Sequence, residues 1–274
     1  MMSSDSIFDF KNPPITEAVC GIAFRRLDRF LAPHMGLLWA LFRSDYPRVE
    51  EKSPLTPPKQ AIHEDENVSL VEIIRPRVWF VREDETRLIQ VQQDRFLHNW
   101  KKVKAEDEYP RYNQLIEEFW AALERFRNFV ETEGLGNLEP IQCELTYVNV
   151  ISEGEGFKCL GRIGELLPDY RWRREGNRFL PEPDGINWTS FFPMAEESGR
   201  LRVTISDGRL KATNKPVIRL MLTAQGLPKD RTPAAMRAWF DLAREWIVRS
   251  FVDLTSESVQ ADYWGRVYDD VSTV

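Results

Sequence analysis

Residues Pro140–Ser152 read P-I-Q-C-E-L-T-Y-V-N-V-I-S, and this mid-chain stretch decides the fold class. Apolar or aromatic residues recur at alternate positions, which places them on one face of a strand. Val148 and Val150 make the other face apolar too, a pattern typical of a central strand. A carboxylate in such a strand needs a partner or a raised pKa. Two interpretations of Glu144 stay open: an ion pair with an arginine at the wetter end of the strand, or a pocket carboxylate.

The composition favours a globular cytosolic protein. The 274 residues, 42% of them hydrophobic, suffice for one large or two small domains. A formal net charge of -6 disfavours non-specific binding to nucleic acid or to a membrane, although a local basic patch stays open. The three cysteines form no C-x-x-C pair, which indicates reduced thiols and a cytoplasmic location. We expect neither a signal peptide nor a transmembrane helix, because no basic leader or long apolar run is present.

Before the central stretch, the pattern predicts several strands and then one long helix. The charged run R-E-D-E-T-R joins two apolar segments, which predicts a hairpin. The long helix begins near Pro110, and its apolar residues recur about every 3.6 residues. The predicted segments are a strand ending at Phe24, a helix opened by Pro33, strands at 68–74, 78–81 and 88–93, and the long helix. Its apolar stripe consists of Tyr112, Leu115, Ile116, Phe119, Leu123, Phe126 and Val130.

After the central stretch, a similar order follows. Leu201, Val203 and Ile205 alternate with polar residues, which predicts a half-exposed strand, and D-G at 207–208 predicts a turn. Thr232 is expected to cap a second long helix that has Pro233 at its first position. The remaining predicted segments are a short helical one at 160–167 and an apolar strand at 217–224.

The two halves therefore predict a tandem duplication. P-I-T-E-A-V in the first half aligns with P-I-Q-C-E-L in the second. The two stretches are roughly 126 residues apart, far above the periods of solenoid repeats. The predicted fold is α+β, with tandem strand-helix-hairpin-helix repeats that form one curved antiparallel sheet backed by two long helices. The predicted repeat units are residues 1–136 and 137–274, which together make one pseudo-twofold globular domain.

Standard catalytic motifs are absent from the sequence. It contains no H-E-x-x-H, G-x-S-x-G, P-loop or G-x-G-x-x-G pattern. The three histidines are far apart, and none has another ligand at a metal-binding spacing. We therefore expect no catalytic residue, no metal and no cofactor.

One polar constellation follows the predicted hairpin, in Q-V-Q-Q-D-R-F-L-H-N-W from Gln90. Arg95 could pair with Glu144 in a fork geometry, and nearby aromatics and amides could line the same region. This would be a pocket for a polar ligand or a peptide. The favoured alternative is a satisfied polar network that ties the hairpin to the central strand. The ligand-binding candidates are Arg95, Asn99, Trp100, Tyr112, Glu144, Tyr147 and Asn149, with Tyr109 beside them.

An irregular, aromatic-rich segment at 170–194 is the candidate partner-binding surface. It could present Trp172, Trp188, Phe191 and Phe192 to a protein. Arginines interleaved with Trp172 also suggest a nucleic-acid surface, but the acidic balance of the chain makes this the least favoured interpretation. Those arginines are Arg171, Arg173, Arg174 and Arg178.

Several of these stretches resemble an uncharacterised bacterial family of conserved hypothetical proteins with a sporadic species distribution. The resemblance rests on N-P-P-I-T-E-A-V from Asn12, L-I-Q-V-Q-Q-D-R-F-L-H-N-W from Leu88, E-Y-P-R-Y from Glu108 and E-L-T-Y-V-N from Glu144. It covers most of the chain, and it implies no activity, ligand or catalytic residue. A sporadic distribution implies a link to mobile or defence-related loci.

The leading hypothesis is a non-enzymatic binding or accessory protein that recognises a protein partner. The alternative is a small-molecule-binding enzyme or sensor with a polar pocket between the halves, where Glu144 acts as a general base or anchor and Arg95 clamps an anion. Nucleic acid and membranes are not expected partners, and a homo-oligomer stays open.

Overall fold

The computed structural model describes residues 8–55, 76–172 and 179–267, and every structural statement below concerns these residues. Some predictions lie outside them. The predicted strand at 68–74 is one, and so are three arginines of the suggested nucleic-acid surface, Arg173, Arg174 and Arg178.

In residues 8–55 and 76–132, the first half of the chain forms six strands and two helices. The helix predicted from Pro110 begins at Arg111, and all seven residues of its predicted apolar stripe are buried. The elements are β1 (Asp9–Phe10), β2 (Ile15–Phe24), α1 (Ala32–Phe42), β3 (Arg48–Lys52), β4 (Arg77–Val81), β5 (Arg87–Gln92), β6 (Arg95–Lys101) and α2 (Arg111–Thr132).

The described residues of the second half form five strands and two α-helices. The elements are β7 (Pro140–Ser152), β8 (Asn187–Pro193), β9 (Arg200–Arg209), β10 (Pro216–Gly226), α3 (Pro233–Leu254), α4 (Glu257–Asp262) and β11 (Arg266–Val267). Short 3-10 helices lie at Leu160–Glu165, Pro168–Tyr170 and Ala195–Glu197. Thr232 caps α3 as predicted, since its Oγ1 accepts a hydrogen bond from the backbone N–H of Ala235 at 3.2 Å.

The turn predicted at Asp207 and Gly208 is wrong, because both residues lie inside β9. The Asp207 carboxylate accepts a hydrogen bond from the N–H of Ile186 at 2.7 Å, which holds this residue in the β8–β9 pair. The chain reverses further on, where the N–H of Leu210 donates to the carbonyl of Lys215. Asn214 has a positive φ of 56° there, a conformation that asparagine tolerates better than most residues. The hydrogen bond to Ile186 is a long-range contact, so local turn propensity did not decide the position.

Nine strands are hydrogen-bonded in the order β3-β4-β5-β6-β2-β7-β10-β9-β8, and β1 pairs separately with β11. The registered pairs are antiparallel; for example, Cys20 of β2 faces His98 of β6, and Ile89 of β5 faces the same residue. The predicted α+β class with a large antiparallel sheet is confirmed.

By its internal contacts the chain divides into two compact units. The first unit combines the residues up to Thr16 with Thr146–Ala224 and the residues from Asp241 onward. The second unit combines Glu17–Leu145 with Gln225–Phe240. Both units are discontinuous in sequence, whereas the predicted units 1–136 and 137–274 divide the chain by sequence order. That division stays a prediction.

The core of the second unit is aromatic. Phe96 of β6 stacks on Phe126 of α2 with ring centroids 5.0 Å apart, and Phe24 and Phe30 also contact Phe126. Phe119 of α2 contacts Phe240 of α3 at 5.3 Å. These contacts hold β6 against α2, because large aromatic rings bury much apolar area.

In the first unit, Leu201, Val203 and Ile205 of β9 are fully buried, as the alternating pattern predicted. The last described segment is held by Gln260, whose side chain is also fully buried. Its Nε2 donates to the carbonyl of Thr255 at 2.8 Å, and its Oε1 accepts from Arg266 at 2.9 Å. The amide therefore joins α4 to β11.

Candidate functional site

One face of the second unit's sheet is lined by polar side chains, and we call it the polar face. Strand register places Trp79 opposite Gln90 and Gln92 opposite Arg95, so these side chains share one side of the sheet. Residues between them, such as Phe96, point to the opposite side, where α2 lies. The polar face consists of Glu17 (β2), Arg77 and Trp79 (β4), Gln90 and Gln92 (β5), and Arg95 and Asn99 (β6).

A directional chain of hydrogen bonds crosses the polar face. Arg77 Nη1 and Trp79 Nε1 both donate to Gln90 Oε1, at 2.7 and 3.0 Å. Gln90 Nε2 donates to Asn99 Oδ1 at 2.7 Å, and Asn99 Nδ2 donates to Glu17 Oε1 at 2.7 Å. Every donor thus points from the arginine cation towards the carboxylate, and each bond polarises the next.

Positive charge accumulates at one end of this chain. The ring of Trp79 lies 4.7 Å from Lys52 Nζ and 5.4 Å from Arg77 Cζ, both measured to the ring centroid. Burial and the nearby charge of Arg95 lower the pKa of Arg77. Arg77 Nε is buried and has no hydrogen-bond partner among the described residues. The arrangement therefore combines an aromatic wall with a guanidinium group whose buried Nε–H is costly to leave without an acceptor.

A carboxylate lies beside Arg95. Burial raises the pKa of Asp94, against the opposing charge of Arg95, whose Nε is 4.0 Å from Asp94 Oδ1. Gln92 Nε2 donates to the same oxygen at 2.9 Å and also to the carbonyl of Leu55 at 3.1 Å. Arg95 therefore has an acidic neighbour inside the described part of the chain.

The structure brings some predicted ligand-binding residues together and separates others. Arg95 and Asn99 are both buried on the polar face. Trp100 is buried on the opposite side, where its ring meets Tyr109 at 5.4 Å. Tyr112 is buried on α2. The predicted set is thus divided between two sides of one sheet, because successive residues of a strand point in opposite directions.

Glu144 of β7 is half-buried and accepts a hydrogen bond from Gln225 Nε2 at 2.6 Å. The carboxylate that the sequence singled out therefore has a neutral amide as a close partner. Tyr147 and Asn149 belong to the part of β7 in the first unit and are buried there. Asn149 Nδ2 donates to the carbonyl of Leu220 at 3.3 Å, which is a link between two strands.

Three of the four predicted partner-binding residues, Trp188, Phe191 and Phe192, lie on β8, the last described strand in the sheet order. Phe191 and Phe192 are exposed by 56% and 40%, and they lie on opposite sides of the strand. Trp188 is half-buried and stacks on Tyr170 with centroids 5.1 Å apart. Trp172 is half-buried as well.

The neighbouring strand adds positive charge beside Phe191. Register places Phe191 opposite Arg202, and Arg200 Cζ lies 5.5 Å from the centroid of the Phe191 ring. Arg202 Nε is buried and has no hydrogen-bond partner in the described ranges. The sequence of β8, N-W-T-S-F-F-P, has no charged residue. One side of this sheet end therefore presents an aromatic ring between two arginines.

Sequence reasoning missed Glu17, Arg77 and Trp79 as members of the polar face, and it quoted Gln90 and Gln92 within the polar stretch without naming them as candidates. A signal was present, since Gln90 and Gln92 alternate with apolar residues inside β5, and Arg95 and Asn99 keep one parity in β6. Arg77 and Trp79 are likewise two positions apart in β4, so they point to the same side of that strand. Only the register between strands shows that these sides of β4, β5 and β6 form one face of the sheet.

Comparisons with protein-family models and with curated proteins gave no match for this chain. In the described part of the chain, no three or more histidine, cysteine or acidic side chains are arranged to hold a metal ion. Within the same ranges, none of the helices combines the length and the apolar character that crossing a membrane requires.

Proposed function

We propose that the protein is a non-enzymatic binding protein that recognises a protein partner by pairing an extended segment of it with the outer edge of β8. One observation carries the proposal: among the described residues, β8 ends the strand order, has no charged residue and exposes Phe191 and Phe192. The backbone of a terminal strand offers unpaired N–H and carbonyl groups, and exposed aromatics add contact area on both sides of it.

The opposite end of the strand order supports the proposal by contrast. There β3, with the sequence R-V-E-E-K, carries charges that discourage edge-to-edge pairing. Arg48 pairs with Glu50 and with Glu85, and Lys52 Nζ lies 2.7 Å from Glu50. Proteins commonly protect terminal strands in this way. The uncharged sequence of β8 therefore favours pairing of this strand with a segment of another chain.

The partner that fits is an extended segment with acidic side chains at alternate positions. A strand added to β8 would present every second side chain to the side that holds Phe191, Arg200 and Arg202. Carboxylates there could pair with both guanidinium groups in a fork geometry. The remaining side chains of the added strand would point to the opposite side of the sheet and cover Phe192.

The wider architecture and setting stay proposals too. Outward from β2 the strand order is β6, β5, β4, and outward from β7 it is β10, β9, β8, which supports a tandem duplication. The first series starts at β2 and ends in sequence at β6, which neighbours β2. The second starts at β7 and ends at β10, which neighbours β7. A cytoplasmic location rests on the cysteine usage, and a role in a bacterial defence or mobile locus rests on the family resemblance.

The test is purification of the protein from its own host at low expression, followed by native mass spectrometry. We compare the wild type with Phe191→Lys and with a matched control, Leu37→Lys, which places the same charge at an exposed leucine of α1. We expect a polypeptide at defined stoichiometry with the wild type and with the control. Phe191→Lys should weaken its binding by at least about tenfold, since exposed aromatic anchors commonly contribute about 2 kcal/mol.

A partner that Phe191→Lys retains in full would contradict pairing at β8, and so would the absence of any partner. If nuclease treatment dissolves the complex, the arginines bind nucleic acid instead. A dimer that forms without any other polypeptide and that Phe191→Lys dissociates would make a second copy of this chain the occupant.

A further inference from the structure

On the polar face, the hydrogen-bond acceptors are already in use, whereas one buried donor has no acceptor among the described residues. This observation is independent of the function proposed for β8. Gln90 Oε1 already accepts two hydrogen bonds, from Arg77 and from Trp79. Asn99 Oδ1 accepts from Gln90, and Gln92 Oε1 accepts from the N–H of Leu55 at 2.9 Å. The amide oxygens of this face are therefore occupied, while Arg77 keeps a buried Nε–H without an acceptor in the described ranges.

Arg77 also lacks a described carboxylate beside it. No described carboxylate lies within 4.0 Å of Arg77, although ion pairs at that distance occur elsewhere in the chain. Its only described side-chain hydrogen bond goes to a neutral amide. Arg95 is close enough to disfavour the charge of Arg77, whose pKa is lowered mainly by burial. Asp94 opposes the charge of Arg95, so Arg77 is the half-buried cation without a described anion, which is destabilising unless an anion reaches it.

We propose that the polar face binds an oxyanion at Arg77, supplied by a carboxylate or phosphoryl group of a small molecule. The guanidinium group suits such an anion because its N–H donors form a planar fork. Arg95 adds positive charge on the same side of the sheet, and the ring of Trp79 forms a wall beside Arg77. Asp94 lies beside Arg95, which places the anion nearer to Arg77.

The experiment measures the melting temperature of the purified protein with inorganic phosphate, with citrate and with chloride at equal ionic strength. A ligand that binds only the folded state raises the melting temperature. The variants are Arg77→Gln, which removes the charge and the fork, and Arg77→Lys, which keeps only the charge. Arg25→Gln is the matched control, because Arg25 is exposed and pairs with Glu139 at 2.9 Å. Phe191→Lys shows that the response is separate from β8.

We expect phosphate or citrate to raise the melting temperature of the wild type above the value in chloride. Comparison of the two anions distinguishes a phosphoryl source from a carboxylate source. Arg77→Gln should weaken anion binding by at least about tenfold, since it removes charge-assisted hydrogen bonds. Arg77→Lys should bind with intermediate strength, and Arg25→Gln and Phe191→Lys should respond like the wild type.

The proposal is overturned if neither anion stabilises the wild type more than chloride does. It is also overturned if Arg77→Gln responds as strongly as the wild type, or if Arg25→Gln loses the response equally. If Arg77→Gln does not fold, Arg77→Lys serves as the test. An anion-induced rise in its melting temperature equal to that of the wild type would contradict binding by the guanidinium fork.

Discussion

At the scale of single residues, His98 shows how strongly burial changes chemistry. It lies on the side of β6 that faces α2, and its Nε2 is 3.1 Å from the hydroxyl of Tyr46. Burial lowers the pKa of His98 to about 4, although the charge of Glu118 opposes this shift. Arg87 and Arg82 act in the same direction as burial. The imidazole is therefore neutral in the folded protein near neutral pH.

His98 should make the protein less stable in mild acid. The ordinary pKa of histidine is 6.5. Between about pH 6.5 and about 4, the His98 imidazole is therefore protonated in the unfolded chain and neutral in the folded chain. Unfolding therefore becomes easier as the pH falls through this window, by up to about 3 kcal/mol in total. Urea unfolding of the wild type and of His98→Gln, at pH 7 and pH 5, measures the difference.

His34→Gln is the control, because His34 is another histidine of the second unit and is only half-buried in the first turn of α1, where its Nδ1 accepts a hydrogen bond from the N–H of Leu31 at 3.0 Å. We expect the free energy of unfolding to fall less between pH 7 and pH 5 in His98→Gln than in the wild type or the control. Equal losses in all three proteins would show that His98 does not set the acid sensitivity.

Another residue-scale lesson concerns Asn99 and Trp100. They are neighbours in sequence and were predicted to line one region, yet Asn99 joins the polar face and Trp100 packs beside Tyr109. The period of a strand separates them. Membership of one polar motif therefore does not imply membership of one site.

At the scale of elements, the close approach of β2 to β6 depends on Gly21. A Cβ at this position would lie 2.5 Å from Leu97 Cδ2 and 3.3 Å from the carbonyl oxygen of Phe96. Leu97 is itself buried, so it has little room to move.

Gly21→Val should lower the free energy of unfolding by about 1–3 kcal/mol, because overpacking forces strained side chains or shifted strands. The measurement is denaturant unfolding. In the control, Gly36→Ala in α1, the new Cβ has no other atom within 4 Å, and alanine should stabilise the helix by about 0.5–1 kcal/mol. Wild-type stability in Gly21→Val would mean that β2 and β6 tolerate a wider spacing.

At the scale of the whole molecule, the fold sorts the three cysteines by access to solvent. Cys20 and Cys143 are buried, and burial raises the pKa of both thiols to about 12. Cys159 is half-exposed, and its Sγ lies 3.9 Å from the carboxylate of Glu182. Reactivity towards a thiol reagent therefore reports on the native packing.

We expect one thiol to react quickly in the native protein and all three to react after denaturation. The Cys159→Ser variant should lose the fast native reaction and leave the other two thiols protected. Rapid reaction of Cys20 or Cys143 in that variant would mean that the sheet opens much more readily than its burial indicates.

The sequence by itself determined the elements whose signals are local. The apolar stripe of α2, the cap at Thr232 and the alternation in β9 all follow from a period along one segment or from a side chain bonding to nearby backbone. The α+β class followed from the same signals. These features need no knowledge of which segments meet.

Only the tertiary structure decided which side chains share a surface. Glu17, Arg77, Gln90 and Asn99 come from four strands, and inter-strand register alone aligns them on the polar face. Strand order likewise placed β8 at the end of the sheet, and the long-range bond from Ile186 moved the turn beyond Asp207. The physical reason is that register and strand order depend on pairing between distant segments, which local periodicity does not specify.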